Sequence, residues 1–184
     1  MTSVVIDSVP HDRLTTNDLA GLRELFHAEY SAELGVWNPD QPYGYAPHDL
    51  HVIARLDDAV VGHVGWARRT ISVGAAEVVI AGVGGVLIAP QARGERVGAQ
   101  LMECAAASMT EAGGIAFGYL GCREEVVAFY ESCGWHRVSA AEHSIDRAGQ
   151  PTTQPPGPPI LTLPLGSPPR RWPEGTIDLR GRAW

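Results

Sequence analysis

The chain has 184 residues, 45% of them hydrophobic and 19% charged, enough for one hydrophobic core and too few for two at roughly 100–200 residues per domain. Its 21 acidic residues outnumber 14 basic ones, a net charge of −7, and every base is an arginine; with no basic run, this excludes binding to nucleic acid by phosphate neutralisation. No apolar run approaches the roughly 18 residues of a membrane span and no charged-then-apolar leader opens the chain, so a cytoplasmic protein is expected.

In chain order, residues 3–9 (SVVIDSV) form a short β-like run. Thr15 or Thr16 then opens a helix, with Asp18 placed as the acid of a capping box. Leu19, Leu22, Phe26 and Tyr30 recur at helical spacing, and the helix ends near Gly35. From Val36 to His48 an aperiodic loop carries Trp37, Pro39, Pro42, Tyr43, Tyr45 and Pro47, the composition of a binding lid or of a loop that patches the core. Leu50–Leu56 and Val60–Val73 are strands, and Asp57-Asp58 between them predicts a hairpin turn. Val78–Ile88 is a long apolar run interrupted by Gly82, Gly84 and Gly85; glycine inside a strand marks a bulge or a close approach. Past Pro90 the pattern is helical, with Val97, Leu101, Cys104, Ala105, Ser108 and Ala112 on one face. Ile115–Leu120 and Trp135–Val138 read as strands around a short helix, Glu124–Ser132. Residues 148–159 form a proline-rich connector, Ile160–Leu165 a final strand, and the tail to Trp184 is expected to pack back onto the body. Cys104, Cys122 and Cys133 are too few and too scattered for a metal set and read as reduced thiols. The pattern predicts one α/β (α+β) domain spanning residues 1–184.

Residues 86–101, VLIAPQARGERVGAQL, place a strand, a turn and a helix start in succession. Such a junction aims backbone N–H groups and the positive helix end at one point, where an anionic phosphate can sit. Glycine at Gly94 and Gly98 is expected to let a diphosphate approach. The segment resembles the acyl-CoA motif of the GCN5-related N-acetyltransferase (GNAT) superfamily, usually Arg/Gln-x-x-Gly-x-Gly/Ala. Arg93-Gly94-Glu95-Arg96-Val97-Gly98 matches it except at Arg96, where glycine is usual. Ala128–Trp135, AFYESCGW, is similar to the superfamily's second motif, aliphatic-Tyr-Glu-x-x-Gly-Phe. Two branches are closer. Aminoglycoside 2′-N-acetyltransferases are similar at Arg96, at Phe129–Trp135 and in ending on tryptophan. Nodulation N-acyltransferases, which acylate an amino sugar, resemble Gly62–Arg69 and the tail segments Leu163–Gly166 and Trp172–Thr176.

The resemblance implies a GNAT fold, with a central mixed and mostly antiparallel sheet of six to seven strands flanked by about four helices. It implies an N-acetyltransferase that uses acetyl-CoA and a primary amine of a small molecule, by direct attack in a ternary complex. Longer acyl donors and a non-catalytic acyl-CoA sensor are the alternatives. Val86, Leu87 and Ile88 would hold the pantetheine through their backbone, and Arg93, Gly94, Arg96, Val97, Gly98 and Ala99 the diphosphate. Tyr130 would be the acid: a phenol with a reference pKa of about 10 is protonated at neutral pH and can donate to a departing sulfur. The 2′-N-acetyltransferases carry a glutamate at the position aligning with Gly84, so the base must come from elsewhere. Candidates are His63, Glu33, Asp40, His143 and the α-carboxylate of Trp184, histidine having an unperturbed pKa of about 6.5. Glu33, Trp37, Asp40, Tyr43, Gly84 and Trp184 are the expected substrate contacts. Arg182 aligns with an acid of the aminoglycoside branch, which argues against a polycationic acceptor and for an amino sugar or an amino-acid-like metabolite. No metal, nucleic-acid or membrane partner is expected; self-association as a homodimer stays open.

Overall fold

Local chemistry sets most boundaries. In the computed structural model, which describes residues 4–94 and 96–184, the first helix α1 (Thr16–Leu34) opens on a complete capping box. The Thr15 side chain accepts from the Asp18 N–H, and the Asp18 carboxylate accepts from the Thr15 N–H at 2.8 Å. Asp18 also accepts from the Arg55 guanidinium, which ties α1 to the sheet. Strands β1 (Val4–Pro10), β2 (Leu50–Leu56) and β3 (Ala59–Val73) are antiparallel neighbours. Asp57 and Asp58 join β2 to β3 with φ of 48° and 66°, the left-handed pair that a tight hairpin turn requires. β3 is long enough to turn back through Gly74 into β4 (Ala76–Ile88).

Helix α2 (Val97–Ala112) lies against β3 on a face of Leu101, Met102, Ala105, Ser108 and Met109. Ala105 and Ser108 keep that face thin, and the Trp66 indole N–H donates to Ser108 Oγ at 2.9 Å across the joint. β5 (Phe117–Gly121), α3 (Val127–Ser132), β6 (His136–Val138), β7 (Glu142–Ile145), β8 (Pro151–Gln154), β9 (Ile160–Pro164) and β10 (Ile177–Arg182) complete the chain. All ten strands share one mixed sheet, in the order β6-β9-β5-β4-β3-β10-β7-β8, with β2 and β1 continuing from β3. One face carries the helices and a core around Leu22, Phe26, Leu101 and Trp135. The other carries a second core of Ile71, Ile80, Phe117, Tyr119, Ile177 and Leu179. The central strands are therefore buried on both sides, which is why β4 and β5 read as continuous apolar runs.

The expected α/β class and mixed sheet hold, with more strands and fewer helices: ten strands instead of six to seven, and three α-helices among the described residues instead of about four. The additions are β7, β8 and β10. Pro151 begins β8 inside the proline-rich connector, at the sheet edge where a missing N–H costs no ladder bond. Ile160–Pro164 is consequently not the last strand; the tail supplies β10, whose pairing is broken by an irregularity between Asp178 and Arg182. No helix among the described residues is long and apolar enough to cross a membrane.

Candidate active site

The site forms where two parallel strands part. β4 and β5 pair only at Ile80–Phe117, Ala81–Gly118 and Gly82–Tyr119. Beyond them β4 stays with β3, and β5 with β9. A bulge increases the divergence: between the pairs His63–Leu87 and Gly65–Gly84, β4 has one more residue than β3. Gly85 sits in that bulge at φ +60°, a conformation that glycine adopts freely. The wedge opens into a cavity of about 590 Å³, lined by Val83–Val86 on β4, Leu120–Cys122 at the end of β5, Tyr130 on α3, and the aromatic group Tyr30, Tyr43 and Tyr45.

On the expected donor side, Val86 lines the cavity, whereas Leu87 is buried in the core. Arg93 folds back, donating from Nε to the Ile88 carbonyl at 3.1 Å and reaching Glu29 at 3.4 Å. Gly94 has φ +88° and open space where a side chain would project. Arg96 adopts φ 60°, ψ 11° as N-cap of α2 and supplies no side-chain cap, so the helix N–H groups there remain available. Its left-handed backbone explains why related motifs place glycine at this position. Val97 packs in the core, and Ala99 is half-buried. At Gly98 a Cβ would lie 3.2 Å from Cζ of Phe129, so close packing of α2 on α3 also favours a residue without a side chain here. Tyr130 is buried at the cavity wall, and burial pushes its phenol well above the usual value, keeping the O–H intact. Cys122 shares that wall with its thiol raised by burial, a poor thiolate source.

Four histidines gather under α1. His63 is fully buried, and its Nδ1 donates to the Gly85 carbonyl at 2.7 Å. Its Nε2 therefore accepts from His51 Nδ1 at 2.8 Å, and His51 Nε2 faces His11 Nδ1 at 3.0 Å. Burial lowers the pKa of His63 to about 4; burial and the His63 charge lower that of His51 to about 3. His48, which the sequence reading passed over, lines the cavity beside them with Nε2 buried and without a hydrogen-bond partner. Its ring covers Gly65, where a Cβ would come within 2.4 Å of it.

Several expected contacts lie elsewhere. Glu33 is exposed on α1 and outside the cavity lining. Asp40 is also outside it, paired with His11 at 3.1 Å. Trp37 is 3% exposed and stacked on Phe26 with 5.0 Å between ring centroids, so it patches the core. His63 does not reach the cavity lining, and His143 is bonded to Thr153 on the exposed β7–β8 hairpin. Tyr43 and Tyr45 do face the cavity.

Trp184 closes the far side. Its indole lies on Gly82, where a Cβ would meet the ring at 2.1 Å, with the Arg69 guanidinium 3.9 Å from the ring centroid. The Trp184 carbonyl carbon would stand 2.5 Å from a Cβ at Gly84. Arg182 donates to the carbonyls of Gly44, Asp146 and Arg147, fastening the tail to two loops. Glu142, absent from the sequence candidates, is a buried carboxylate in the cavity wall that accepts from the Tyr119 hydroxyl. Burial raises its pKa. A lone acid in a polar stretch, AAEHSI, gives no local sign of a partner on β5.

A splayed pair of central strands, a β-bulge and a helix N-terminus beyond it define the GNAT fold, and solved structures agree. Escherichia coli ElaA is 21% identical, with a TM-score of 0.62 over 88% of this chain and 99% of that one. The GNAT family N-acetyltransferase YhbS of Escherichia coli, in complex with CoA, is 15% identical, with a TM-score of 0.66 over 97% and 91%. A GNAT family acetyltransferase of Brucella melitensis, in complex with acetyl-CoA, is 18% identical, with a TM-score of 0.60 over 95% and 94%. No curated protein matches the sequence. The family model of nodulation protein A (NodA) matches residues 7–182, and the chain belongs to that family of N-acyltransferases. It is a GNAT-type N-acyltransferase.

Proposed function

We propose that the enzyme transfers an acyl group, acetyl in the first instance, from acyl-coenzyme A to a primary amine of a small molecule by direct attack. The acceptor is an amino sugar or an amino-acid-like metabolite. The observation that carries this reading is the open wedge between β4 and β5, whose strand backbones no longer pair with each other beyond Gly82. The residues fit the donor: β4 backbone around Val86 faces the cavity, and the uncapped start of α2 with exposed Arg93 and Arg96 suits a diphosphate. When bound, acyl-coenzyme A supplies an activated thioester. Tyr130, protonated and buried at the wall, donates to the leaving sulfur. Tyr43, Tyr45, Trp184 and Glu142 surround the acceptor end.

A second reading, a longer acyl donor, is favoured by the apolar lining from Phe26, Tyr30 and Leu34. The space over Gly82 and Gly84 does not add to it, because Trp184 fills that space.

Calorimetry with coenzyme A and thiol release from acetyl- and octanoyl-coenzyme A across an amine panel test both readings. Coenzyme A binding with release from acetyl-coenzyme A is expected; faster release from the octanoyl donor selects the second reading. Binding without release from either donor would reassign the chain as a sensor, and no binding would remove the donor assignment altogether.

A further inference from the structure

We infer that His48 is the general base of the acyl transfer, placed over the central strands beside Gly84, a position with no side chain of its own. The inference rests on the acyl-transfer reading above. A Cβ at residue 84 would lie 2.5 Å from the main-chain carbon of Trp184 and 3.2 Å from His48 Nε2, so this nitrogen borders the space over Gly84 beside the tail residue that fills it. Nε2 is buried and has no partner, while His48 lines the same cavity as Tyr130. A buried polar atom without a partner costs about 1–3 kcal/mol, so such atoms persist where something else binds them.

The other buried histidines are committed. His63 uses both ring nitrogens, on Gly85 and on His51, and His51 uses both, on His63 and on His11. His48 is therefore the member of the buried trio with a nitrogen to offer. Burial and its His63, His51 and His11 neighbours hold its pKa well below the ordinary value, which keeps the ring neutral and able to accept. A shared metal is disfavoured by distance. His51 Nδ1 and His63 Nε2 are 2.8 Å apart, closer than the ~3.3 Å between two ligands on a tetrahedral zinc with bonds of about 2.0–2.1 Å.

The step balances without another reactant. As the amine nitrogen bonds to the acyl carbon, one N–H proton passes to His48 Nε2. The carbon–sulfur bond breaks, its electron pair leaves on sulfur, and Tyr130 protonates that sulfur. The imidazolium proton then leaves to solvent, and the phenolate regains one. An acceptor that arrives as an ammonium ion sheds one further proton.

The test compares the wild-type enzyme with His48→Gln and His48→Ala in thiol release, with coenzyme A calorimetry on each. His48→Gln should lower kcat by about 10²- to 10⁴-fold and leave the coenzyme A Kd within threefold. Added imidazole should restore part of the His48→Ala rate. A kcat within threefold of wild type overturns the proposal, as does a rate loss that tracks lost coenzyme A binding in both variants. Nitrogen-15 NMR of histidine-labelled enzyme gives a readout independent of turnover: a neutral His48 with unprotonated Nε2 at pH 7 is expected. A protonated ring, or stoichiometric metal bound to it by elemental analysis, overturns the proposal. Failure of the acyl-transfer reading looks different, since wild type then releases no thiol, and the base assignment falls with it.

Discussion

Substituting Gly65 by alanine probes the site through its floor. The new Cβ would stand 2.4 Å from Cγ and Nδ1 of His48 and 2.7 Å from Cδ2. Carbon contacts are optimal at about 3.5–4.0 Å, so the ring must retreat by about 1 Å or β3 must bend. Neither is easy, since His48 is 5% exposed and β3 is paired on both sides. Overpacking of this kind costs about 1–3 kcal/mol, which for a chain of this size lowers Tm by roughly 2–12 °C. Displacing a base by about 1 Å costs about 10- to 100-fold in kcat. Thermal melts by circular dichroism, coenzyme A calorimetry and thiol release separate the two effects, and coenzyme A affinity should not change. A variant with wild-type Tm and turnover would refute both the packing of His48 on Gly65 and the base built on it.

Tyr130→Phe should lower kcat by about 10- to 100-fold with coenzyme A affinity intact; unchanged turnover removes the acid role. Arg96→Gly should raise stability by up to about 1 kcal/mol in urea melts, because it relieves a left-handed arginine. Gly94→Ala should lower stability by about 1 kcal/mol despite the free space around it, because its φ is +88°. Asp18→Asn should cost about 1–2 kcal/mol at pH 7 through the lost cap and ion pair. Burial raises the Asp18 pKa, but the Thr15 and Arg55 hydrogen bonds outweigh it and leave the carboxyl below its ordinary value. Its contribution is therefore present above the unfolded pKa of about 3.9 and fades as pH falls through the lower folded value. Urea melts at pH 7 and pH 3 should show the wild-type advantage shrinking, and a constant difference would contradict this.

The sequence displays those features whose cause lies within a few residues. Thr15 and Asp18 announce a helix start, Asp57-Asp58 a hairpin, and AFYESCGW a short helix and its exit. Features built from distant partners are harder to read. β10 joins β3 through Ile177–Val73 and Asp178–Ser72, about a hundred residues apart, and its broken register hides the alternation expected of a strand. The Tyr119–Glu142 pair depends on a strand inserted at the opposite end of the sheet. The histidine cluster was partly accessible, since counting outward from the Asp57-Asp58 turn brings His51 and His63 together on one hairpin. His48 offered no such count: it lies ahead of β2 in an aperiodic loop, and only the fold brings it over β3.

The glycines of the central strands connect these observations. Gly82 and Gly84 read as sites of a bulge or a close approach, and close approach does occur there and at Gly65, but the approaching groups belong to the protein. The His48 ring lies on Gly65, and the Trp184 indole on Gly82. Gly84 lies between them, within reach of a substituent from either residue. A carboxylate carried on the strand itself would have fixed the position of a base covalently. Here a bare strand receives its chemical groups from a loop before β2 and from the tail, and each is held by packing and hydrogen bonds. Such groups can be exchanged or repositioned without altering the sheet. On the proposed acyl-transfer reading, substitutions around 43–48 and 182–184 would alter acceptor or donor preference while β3 and β4 stay constant.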